Sequence, residues 1–342
     1  MKPGEIQDPA SESGELLEAL STSLSRYFDA RVRVVDIQRE ASPYSSTFSI
    51  EELRVTLDTG DSIPLVFKDL GRPIASVERG VVKPAAVFDP AREISVYQTL
   101  LPWAQIRTPR CYGSVLAPEK GRYWLFLEKL AGVELYQVEE FEAWLEVARC
   151  LAGLHDSFSG SIESLASGLP LLRYDRDFYA TWPLRARSFI APESTSIPEG
   201  CEWLTDGYGT VVDRLLRLPR TFLHGDFYAS NVIVQSHGRS VQVFPIDWEM
   251  AAVGPGFIDL AALISGSWNE DERGALTDAY LRASRTCRKW PGGYTRAAKD
   301  LDYCRLHVAV QWLGWSPAWS PPPEHRQDWF QQAIDLAGRL RL

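Results

Sequence analysis

The pattern of apolar and polar residues divides the chain into a first part rich in strands and a second part rich in helices. Apolar residues recur at helical spacing from Glu15 to Phe28, which predicts a helix after a polar, disordered tail at residues 1–14. Runs rich in β-branched and aromatic residues follow, separated by turn-forming segments, as is typical of strands. They cover Val32–Ile37, Thr47–Leu57, Ile63–Phe67, Pro109–Val115 and Tyr123–Leu127.

A single helix is predicted among these strands, over residues 89–101. Its first two residues, Asp and Pro, are good N-cap and first-turn residues. Ile94, Tyr97 and Leu101 form its buried stripe. The first lobe is therefore expected to span residues 15–130 as an antiparallel sheet with one important helix.

Helical patterns dominate the second part, residues 131–342. Phe141–Phe158 is strongly amphipathic, and Val211–Arg217 is also predicted to be helical. Two strand-like runs, Val232–Gln235 and Val241–Ile246, predict a hairpin within this lobe. The expected fold class is α+β, with a sheet lobe first and a larger, mostly helical lobe second.

Composition and charge narrow the class of protein. Apolar residues make up 45% and charged residues 24%, which is typical of a globular chain. The net charge of −9 disfavours non-specific binding to nucleic acid or membrane and favours a cationic partner. Five scattered cysteines without a C-x-x-C pair indicate neither a disulfide framework nor a zinc site. No signal peptide or membrane-spanning stretch is seen, so a cytoplasmic location is expected.

The hairpin and the loop before it carry the strongest chemical signal. The chain has two Asn residues, and one of them, Asn231, follows Asp226 by five positions. A hairpin centred on Arg239 would pair residues whose numbers sum to 478, which sets Asn231 opposite Asp247. A carboxylate and an amide oxygen that close can share one hard divalent cation. Asp226 would lie at the same end, placed to accept a proton from an attacking hydroxyl.

These residues resemble a known family. The His-Gly-Asp run at 224–226 with Asn231, followed by the Asp-Trp-Glu run at 247–249, is similar to the catalytic and metal loops of the aminoglycoside phosphotransferase and choline kinase family. Protein kinases, which are relatives, carry H-R-D-x4-N and then D-F-G. Gly225 in place of Arg and Glu249 in place of Gly point to the small-molecule branch.

The resemblance covers roughly residues 32–265 and implies a bilobal, protein-kinase-like fold that uses ATP and Mg²⁺. In the catalytic part it implies Asp226 as the base and Asn231 and Asp247 as metal ligands. His224 and Asp259 would give structural support to the loop.

The resemblance also implies nucleotide-binding residues in the first lobe and its helix. Lys68 would bind the α- and β-phosphates, with Glu93 as its partner, and Val66 would touch the adenine. Backbone groups near Glu128 and Leu130 would hydrogen-bond the adenine. The segment 42–47 has no Gly, so backbone and hydroxyl donors, those of Ser45 and Ser46 among them, would take the place of a Gly-rich phosphate loop.

Residues that contact the acceptor are predicted to be Tyr174, Asp175, Asp177, Glu249 and Trp312. Each has an ordinary structural alternative, in a solvated loop, a hairpin end or a core. His155 and His307 lie on apolar helices and are predicted to be core or cleft-lining residues. Asp226, Asn231 and Asp247 are also compatible with plain turn residues.

The predicted function is ATP-dependent transfer of a phosphoryl group to a hydroxyl of a small molecule. The acceptor stays open among aminoglycosides or other amino sugars, choline-like amines, macrolides and biosynthetic intermediates, and antibiotic resistance is one role this implies. The acidic charge favours a cationic acceptor. Two alternatives are a catalytically silent nucleotide-binding module and a protein kinase.

Overall fold

The computed structural model describes residues 9–42, 48–73, 84, 87–190, 202–205, 207–238, 240–315 and 327–342. The helices are α1 (Pro9–Phe28), α2 (Arg92–Thr99), α3 (Phe141–Phe158), α4 (Ile162–Leu165), α5 (Arg176–Ile190), α6 (Tyr208–Leu215), α7 (Phe257–Leu263), α8 (Glu270–Ala283), α9 (Gly293–Leu313) and α10 (Trp329–Leu340). The strands are β1 (Val34–Ala41), β2 (Phe48–Leu57), β3 (Ser62–Pro73), β4 (Cys111–Ala117), β5 (Arg122–Glu128), β6 (Val133–Glu134), β7 (Leu172–Arg173), β8 (Arg220–Leu223), β9 (Val232–His237), β10 (Ser240–Pro245) and β11 (Ala252–Pro255).

The first compact unit, Met1–Glu78 with Pro109–Ala131, holds an antiparallel five-stranded sheet of order β1-β2-β3-β5-β4. Helix α1 covers one face of it, because Leu16, Leu20 and Leu24 recur on one side of the helix and pack with Phe67 and Phe126. This burial of apolar surface is the main force holding the helix on the sheet.

Helix α1 begins at Pro9, earlier than the predicted start at Glu15. The predicted tail at residues 1–14 is therefore wrong from residue 9 onward. Two ion pairs tie this early part of the helix to the sheet, Glu12 with Arg72 at 2.7 Å and Glu15 with Arg122 at 2.9 Å.

The second compact unit, Arg79–Thr108 with Gly132–Leu342, contains the remaining helices and two small sheets. One sheet has the order β10-β9-β6, and the other has the order β7-β11-β8. Helix α9 runs through the core of this unit, with both apolar and polar side chains buried along its length.

Residues 79–108, predicted to belong to the first lobe, group with the second unit. The reason is the bonding of helix α2, whose Arg92 and Glu93 make hydrogen bonds to Glu249 and Trp248. The helix begins at Arg92, later than predicted, and Asp89 still accepts a hydrogen bond from the N–H of residue 91 at 2.9 Å.

The hairpin of β9 and β10 has a register that differs by one residue from the predicted one. His237 pairs with Ser240, so only residues 238 and 239 connect the strands. Gly238 has φ 63°, the left-handed conformation that two-residue hairpin turns require. The predicted centre at residue 239 is therefore wrong, because the sequence pattern does not distinguish a two-residue turn from a three-residue turn.

The cysteines among the described residues are free thiols. Burial raises the pKa of Cys150 to about 12 and that of Cys287 to about 11, so neither carries appreciable thiolate at neutral pH. Among the helices of the described residues, none has the length and apolar character needed to cross a bilayer.

Candidate active site

The loop between β8 and β9 is closed by hydrogen bonds between Asp226 and Asn231. The amide nitrogen of Asn231 donates to the carbonyl oxygen of Asp226 and to its carboxylate Oδ2, both at 2.9 Å. The carbonyl of Asp226 also accepts from the N–H of Tyr228 at 2.9 Å. Because both partners of Nδ2 are acceptors, the chemistry fixes the orientation of the Asn231 amide. Its oxygen therefore faces away from Asp226.

Asp259, in the first turn of α7, is fully buried and holds the start of this loop. Its carboxylate accepts hydrogen bonds from the N–H groups of His224 at 2.7 Å and Gly225 at 2.9 Å. Hydrogen bonds to an ionised acceptor are stronger than those between neutral groups. The backbone on the N-terminal side of Asp226 is thereby fixed.

His155 of α3 is the third partner of Asp259. Its Nε2 lies 3.1 Å from Oδ2 of Asp259, and its Nδ1 lies 2.7 Å from the hydroxyl of Tyr280. Both ring nitrogens of His155 thus have hydrogen-bond partners, Asp259 on one side and Tyr280 on the other. A chain of side chains from α8 through α3 thus orients the carboxylate that supports the loop.

His224 connects the loop to the end of strand β10. Its Nε2 donates to the carbonyl of Ile246 at 2.8 Å, and its ring contacts those of Phe227 and Trp248. The residue is fully buried, so these contacts are those of a supporting residue.

Gly225 occupies a position that has no room for a side chain. Its φ is 83°, and a Cβ added there would lie 2.0 Å from the carbonyl oxygen of Met250. This contact explains in this chain why glycine stands where protein kinases have arginine.

Asp247 follows β10 directly and adopts the left-handed conformation, with φ 66° and ψ 72°. The N–H of Ile246 donates to the carbonyl of Asn231 at 2.9 Å, so Asn231 lies opposite Ile246. The predicted pairing of Asn231 with Asp247 is wrong by one residue, because the turn of the hairpin is shorter than predicted. The two residues are nonetheless neighbours across the open end of the hairpin.

The donor set at this end fits a hard divalent cation. Asn231 offers an amide oxygen that faces away from Asp226, and Asp247 offers a carboxylate. Within the described ranges, no three His, Cys, Asp or Glu side chains cluster as a metal centre. Mg²⁺ commonly binds one or two protein oxygens together with phosphate oxygens and water, so two protein ligands are sufficient.

Two residues of α2 hold the chain just after Asp247. Glu93 accepts a hydrogen bond from the N–H of Trp248 at 3.3 Å. Arg92 donates to the carbonyl of Glu249 at 2.6 Å. Both side chains are buried, so the bonds form away from bulk water.

In the first unit, β3 carries the predicted nucleotide residues. Leu65 and Phe67 point to the core under α1, so Val66 and Lys68 point to the opposite face of the sheet. Lys68 is 7% exposed, an uncommon environment for a lysine.

The end of β5 carries the two residues predicted at the hinge. The N–H of Glu128 donates to the carbonyl of Arg110 at 2.9 Å, and its carboxylate accepts from the N–H of Arg110 at 3.1 Å. The N–H of Glu128 is therefore already used, and Leu130 is half-buried just beyond the strand. Ser45 and Ser46 lie outside the described residues.

The residues predicted to contact the acceptor have different environments. Tyr174 is 1% exposed and belongs to the core. Asp175 caps α5 by accepting from the N–H of Phe178 at 2.9 Å, and Asp177 is exposed in the first turn of that helix. Glu249 is half-buried in the segment after Asp247.

Trp312 contacts the loop between β8 and β9 through Tyr228. Its indole N–H donates to the Tyr228 hydroxyl, and its ring stacks on Trp329 with centroids 5.0 Å apart. Burial, together with the carboxylate of Asp226, holds the pKa of Tyr228 well above its ordinary value, so the hydroxyl keeps its proton. The end of α9 and helix α10 are thus linked to the residue two positions after Asp226.

Sequence reasoning missed Arg92 and Tyr228 and described His155 only as a core or cleft-lining residue. His155 carried a signal, because a polar side chain on the apolar face of a helix needs a buried partner. Arg92 carried none, since an arginine beside a helix N-terminus is usually solvated.

Comparisons with known proteins identify the family and the fold. The model of the phosphotransferase enzyme family matches residues 53–299, more than half of the 342 residues, and the chain belongs to that family. The predicted family is confirmed. A comparison with curated protein sequences found no match.

Solved structures with a similar fold cover nearly the whole chain. The GDP complex of aminoglycoside 2'-phosphotransferase-IIIa is 14% identical, covers 97% of this chain and 98% of its own, and has a TM-score of 0.56. A macrolide 2'-phosphotransferase type I is 18% identical with a coverage of 97% and 98% and a TM-score of 0.53. The choline kinase LicA from Streptococcus pneumoniae is 13% identical with a coverage of 96% and 99% and a TM-score of 0.53. The predicted protein-kinase-like α+β fold is confirmed.

Proposed function

We propose that this phosphotransferase is a kinase of small molecules that transfers the γ-phosphoryl group of ATP to a hydroxyl. The observation that carries the proposal is the closed loop in which Asn231 holds both the carbonyl and the carboxylate of Asp226. The half-buried carboxylate of Asp226 bonds to Asn231, which together with Asp247 forms the proposed pair of metal ligands. A base beside two oxygen ligands is the arrangement that phosphoryl transfer to a hydroxyl needs.

Asp226 is the proposed base. Its Oδ2 is oriented by Asn231, and the backbone before it is fixed by Asp259. As the acceptor oxygen forms a bond to the γ-phosphorus, its proton passes to the carboxylate of Asp226. The bond between the γ-phosphorus and the bridging oxygen breaks, and ADP leaves with that electron pair.

Asn231 and Asp247 are the proposed ligands of Mg²⁺, and Lys68 is the proposed partner of the α- and β-phosphates. A bound divalent cation supplies positive charge that neutralises the phosphate oxygens in the transition state. Positioning and electrostatics account for most of such catalysis, which is why the rigid support of the loop matters.

The acceptor is proposed to be a small molecule rather than a protein. Gly225 excludes the arginine of protein kinases, because a side chain there would strike the carbonyl of Met250. A cationic acceptor suits the net charge of −9 and the exposed carboxylates of Asp175 and Asp177.

The test is a screen for ADP formation from ATP against a panel of hydroxylated metabolites and antibiotics, with the Asp226→Asn protein run in parallel. We expect an acceptor-dependent signal that Asp226→Asn lowers by about 10²- to 10⁴-fold, the usual contribution of a general base. Asp335→Asn, an exposed change on α10, is the matched control and should keep full activity.

Binding is measured separately by the shift in melting temperature with MgATP. A shift of equal size in the wild type and Asp226→Asn is expected, since Asp226 is proposed to act on the acceptor. If MgATP shifts the melting temperature but no acceptor is ever phosphorylated, the protein is a nucleotide-binding module and the proposal is wrong. Full turnover by Asp226→Asn would remove Asp226 from the role of base.

A further inference from the structure

Arg92 is a buried cation bonded entirely to backbone oxygens in the contacts that the structure gives it. It is 3% exposed, and its guanidinium donates to three carbonyls from separate segments. Nη1 donates to Val87 at 2.8 Å and to Glu249 at 2.6 Å, and Nε donates to Pro170 at 2.7 Å. Burying a charge is costly unless it is hydrogen-bonded, so this geometry must be well satisfied for the fold to keep it.

The hydrogen bond to Glu249 connects Arg92 to the backbone next to Asp247. Glu249 is two residues after Asp247, and the intervening Trp248 donates its N–H to Glu93. Two adjacent residues of α2 therefore hold the backbone of residues 248 and 249. Arg92 binds the carbonyl of Glu249, and Glu93 binds the N–H of Trp248. This backbone follows Asp247, which has φ 66°, a conformation that persists only where the surroundings enforce it.

The planar shape of the guanidinium allows Arg92 to bind these three carbonyls at once. Its donors are spread over a rigid plane, so one group can reach three carbonyls that lie in different directions. The ammonium of a lysine is a compact charge on a flexible stem and would reach fewer of them. The link from helix α2 to the segment after Asp247 thus depends on arginine and not on positive charge alone.

We propose that Arg92 is a positioning residue for Asp247, and that it acts by holding the carbonyl of Glu249. The inference rests on the proposed function, because it assumes that Asp247 binds a divalent cation. Arg92 itself touches neither cation nor acceptor in this arrangement. It sets the backbone from which the carboxylate of Asp247 projects.

The test compares Arg92→Lys and Arg92→Met with Arg214→Lys. Arg214 is the control because it is another hydrogen-bonded arginine of the same unit; its guanidinium is partly buried and donates at 2.7 and 2.6 Å to the carboxylate of Asp300. Mn²⁺ is the probe, and its affinity in the presence of ATP is measured by electron paramagnetic resonance. We expect about 10- to 100-fold weaker Mn²⁺ binding in the Arg92 variants, the usual effect of removing support from a metal ligand. Arg214→Lys should bind Mn²⁺ like the wild type.

Amide hydrogen exchange at Trp248 is the second readout and needs no metal. The N–H of Trp248 should be protected in the wild type and should exchange faster in Arg92→Lys, while amides of α9 keep their protection. Wild-type Mn²⁺ affinity together with unchanged exchange in Arg92→Lys would overturn the inference.

If an Arg92 variant does not fold, amide exchange in the wild-type protein still tests the inference. A wild-type Trp248 amide that exchanges as fast as a fully exposed amide would overturn the inference. If the wild-type protein with ATP does not bind Mn²⁺, the proposed function fails instead. That failure is visible before any variant is compared.

Discussion

Position 225 is closed to side chains for two independent reasons, its positive φ and its contact with Met250. Gly160 offers a comparison, since its φ is 82° and nothing lies within 4 Å of an added Cβ. A substitution at Gly160 therefore measures backbone strain alone, whereas a substitution at Gly225 measures strain together with the steric contact.

We predict that Gly160→Ala costs about 1–2 kcal/mol of unfolding free energy, the typical strain of a left-handed alanine. Gly225→Ala should cost more, because a Cβ at 2.0 Å forces the carbonyl of Met250 to move. Urea denaturation of both variants measures the difference. Equal losses of unfolding free energy in the two variants would show that the carbonyl of Met250 moves away from the added Cβ at no measurable cost.

Asn231 and Asp247, the proposed metal ligands, show how far single residues could be predicted. The sequence predicted that Asp226 lies at the end of the hairpin that carries Asn231, and hydrogen bonds join these two residues in the structure. The register failed by one residue because turn length depends on the backbone conformation of Gly238, and glycine is compatible with several turns. The left-handed conformation of Asp247 had no sequence signal.

At the scale of elements, helix α7 contributes to the site through one carboxylate. Asp259 accepts hydrogen bonds from two backbone N–H groups of the proposed catalytic loop. Asp156 of α3 does the same for the turn after α8, with bonds from the N–H groups of Arg285 and Thr286. The two carboxylates are alike in chemistry, but they support different segments.

Replacing either carboxylate with Asn puts a donor where an acceptor is needed. We expect Asp259→Asn and Asp156→Asn each to lose about 1.5–3 kcal/mol of unfolding free energy, the range for hydrogen bonds to charged groups. Only Asp259→Asn should also speed amide exchange at His224 and Gly225 and lower turnover. A loss of turnover as large in Asp156→Asn would mean that global stability, not loop geometry, sets the rate.

Elements were predicted better than their connections. Helix α3 matches its predicted bounds, because its apolar stripe runs unbroken over Phe141–Phe158. The assignment of α2 to the first lobe failed, since periodicity shows which face of a helix is buried but not which neighbour covers it. The bonds of Arg92 decide that, and they run to residues distant in sequence.

At the scale of the whole molecule, the buried core of the second unit includes a titratable group, His307 of α9. Its Nδ1 lies 2.7 Å from the Tyr208 hydroxyl, and its ring packs against those of Tyr179 and Tyr174. Burial lowers the pKa of His307 to about 3. In the unfolded chain its pKa is about 6.5.

The sign of the pH dependence follows from these two values. Between pH 6.5 and pH 3 the unfolded chain binds a proton at His307 that the folded protein excludes. The contribution to stability is complete above about pH 6.5 and is lost toward pH 3, at about 1.4 kcal/mol per pH unit.

Urea denaturation of the wild type and His307→Asn at pH 7, 6, 5 and 4 tests this dependence. The variant lacks the titrating group, so its free energy of unfolding should fall less steeply with acid. Parallel curves would show that His307 is protonated in the folded state.

The closed position 225 has a consequence for how such a protein can be controlled. Protein kinases carry arginine at this place in the motif, and phosphorylated activation segments are ordered through pairs of arginine and phosphate. A chain with no room for that guanidinium lacks one residue that could bind a phosphorylated activation segment. The loop between β8 and β9 is instead held by hydrogen bonds that form on folding, through Asp259 and His155. Ordering of a phosphorylated segment by an arginine at this position is therefore excluded by the shape of the loop itself.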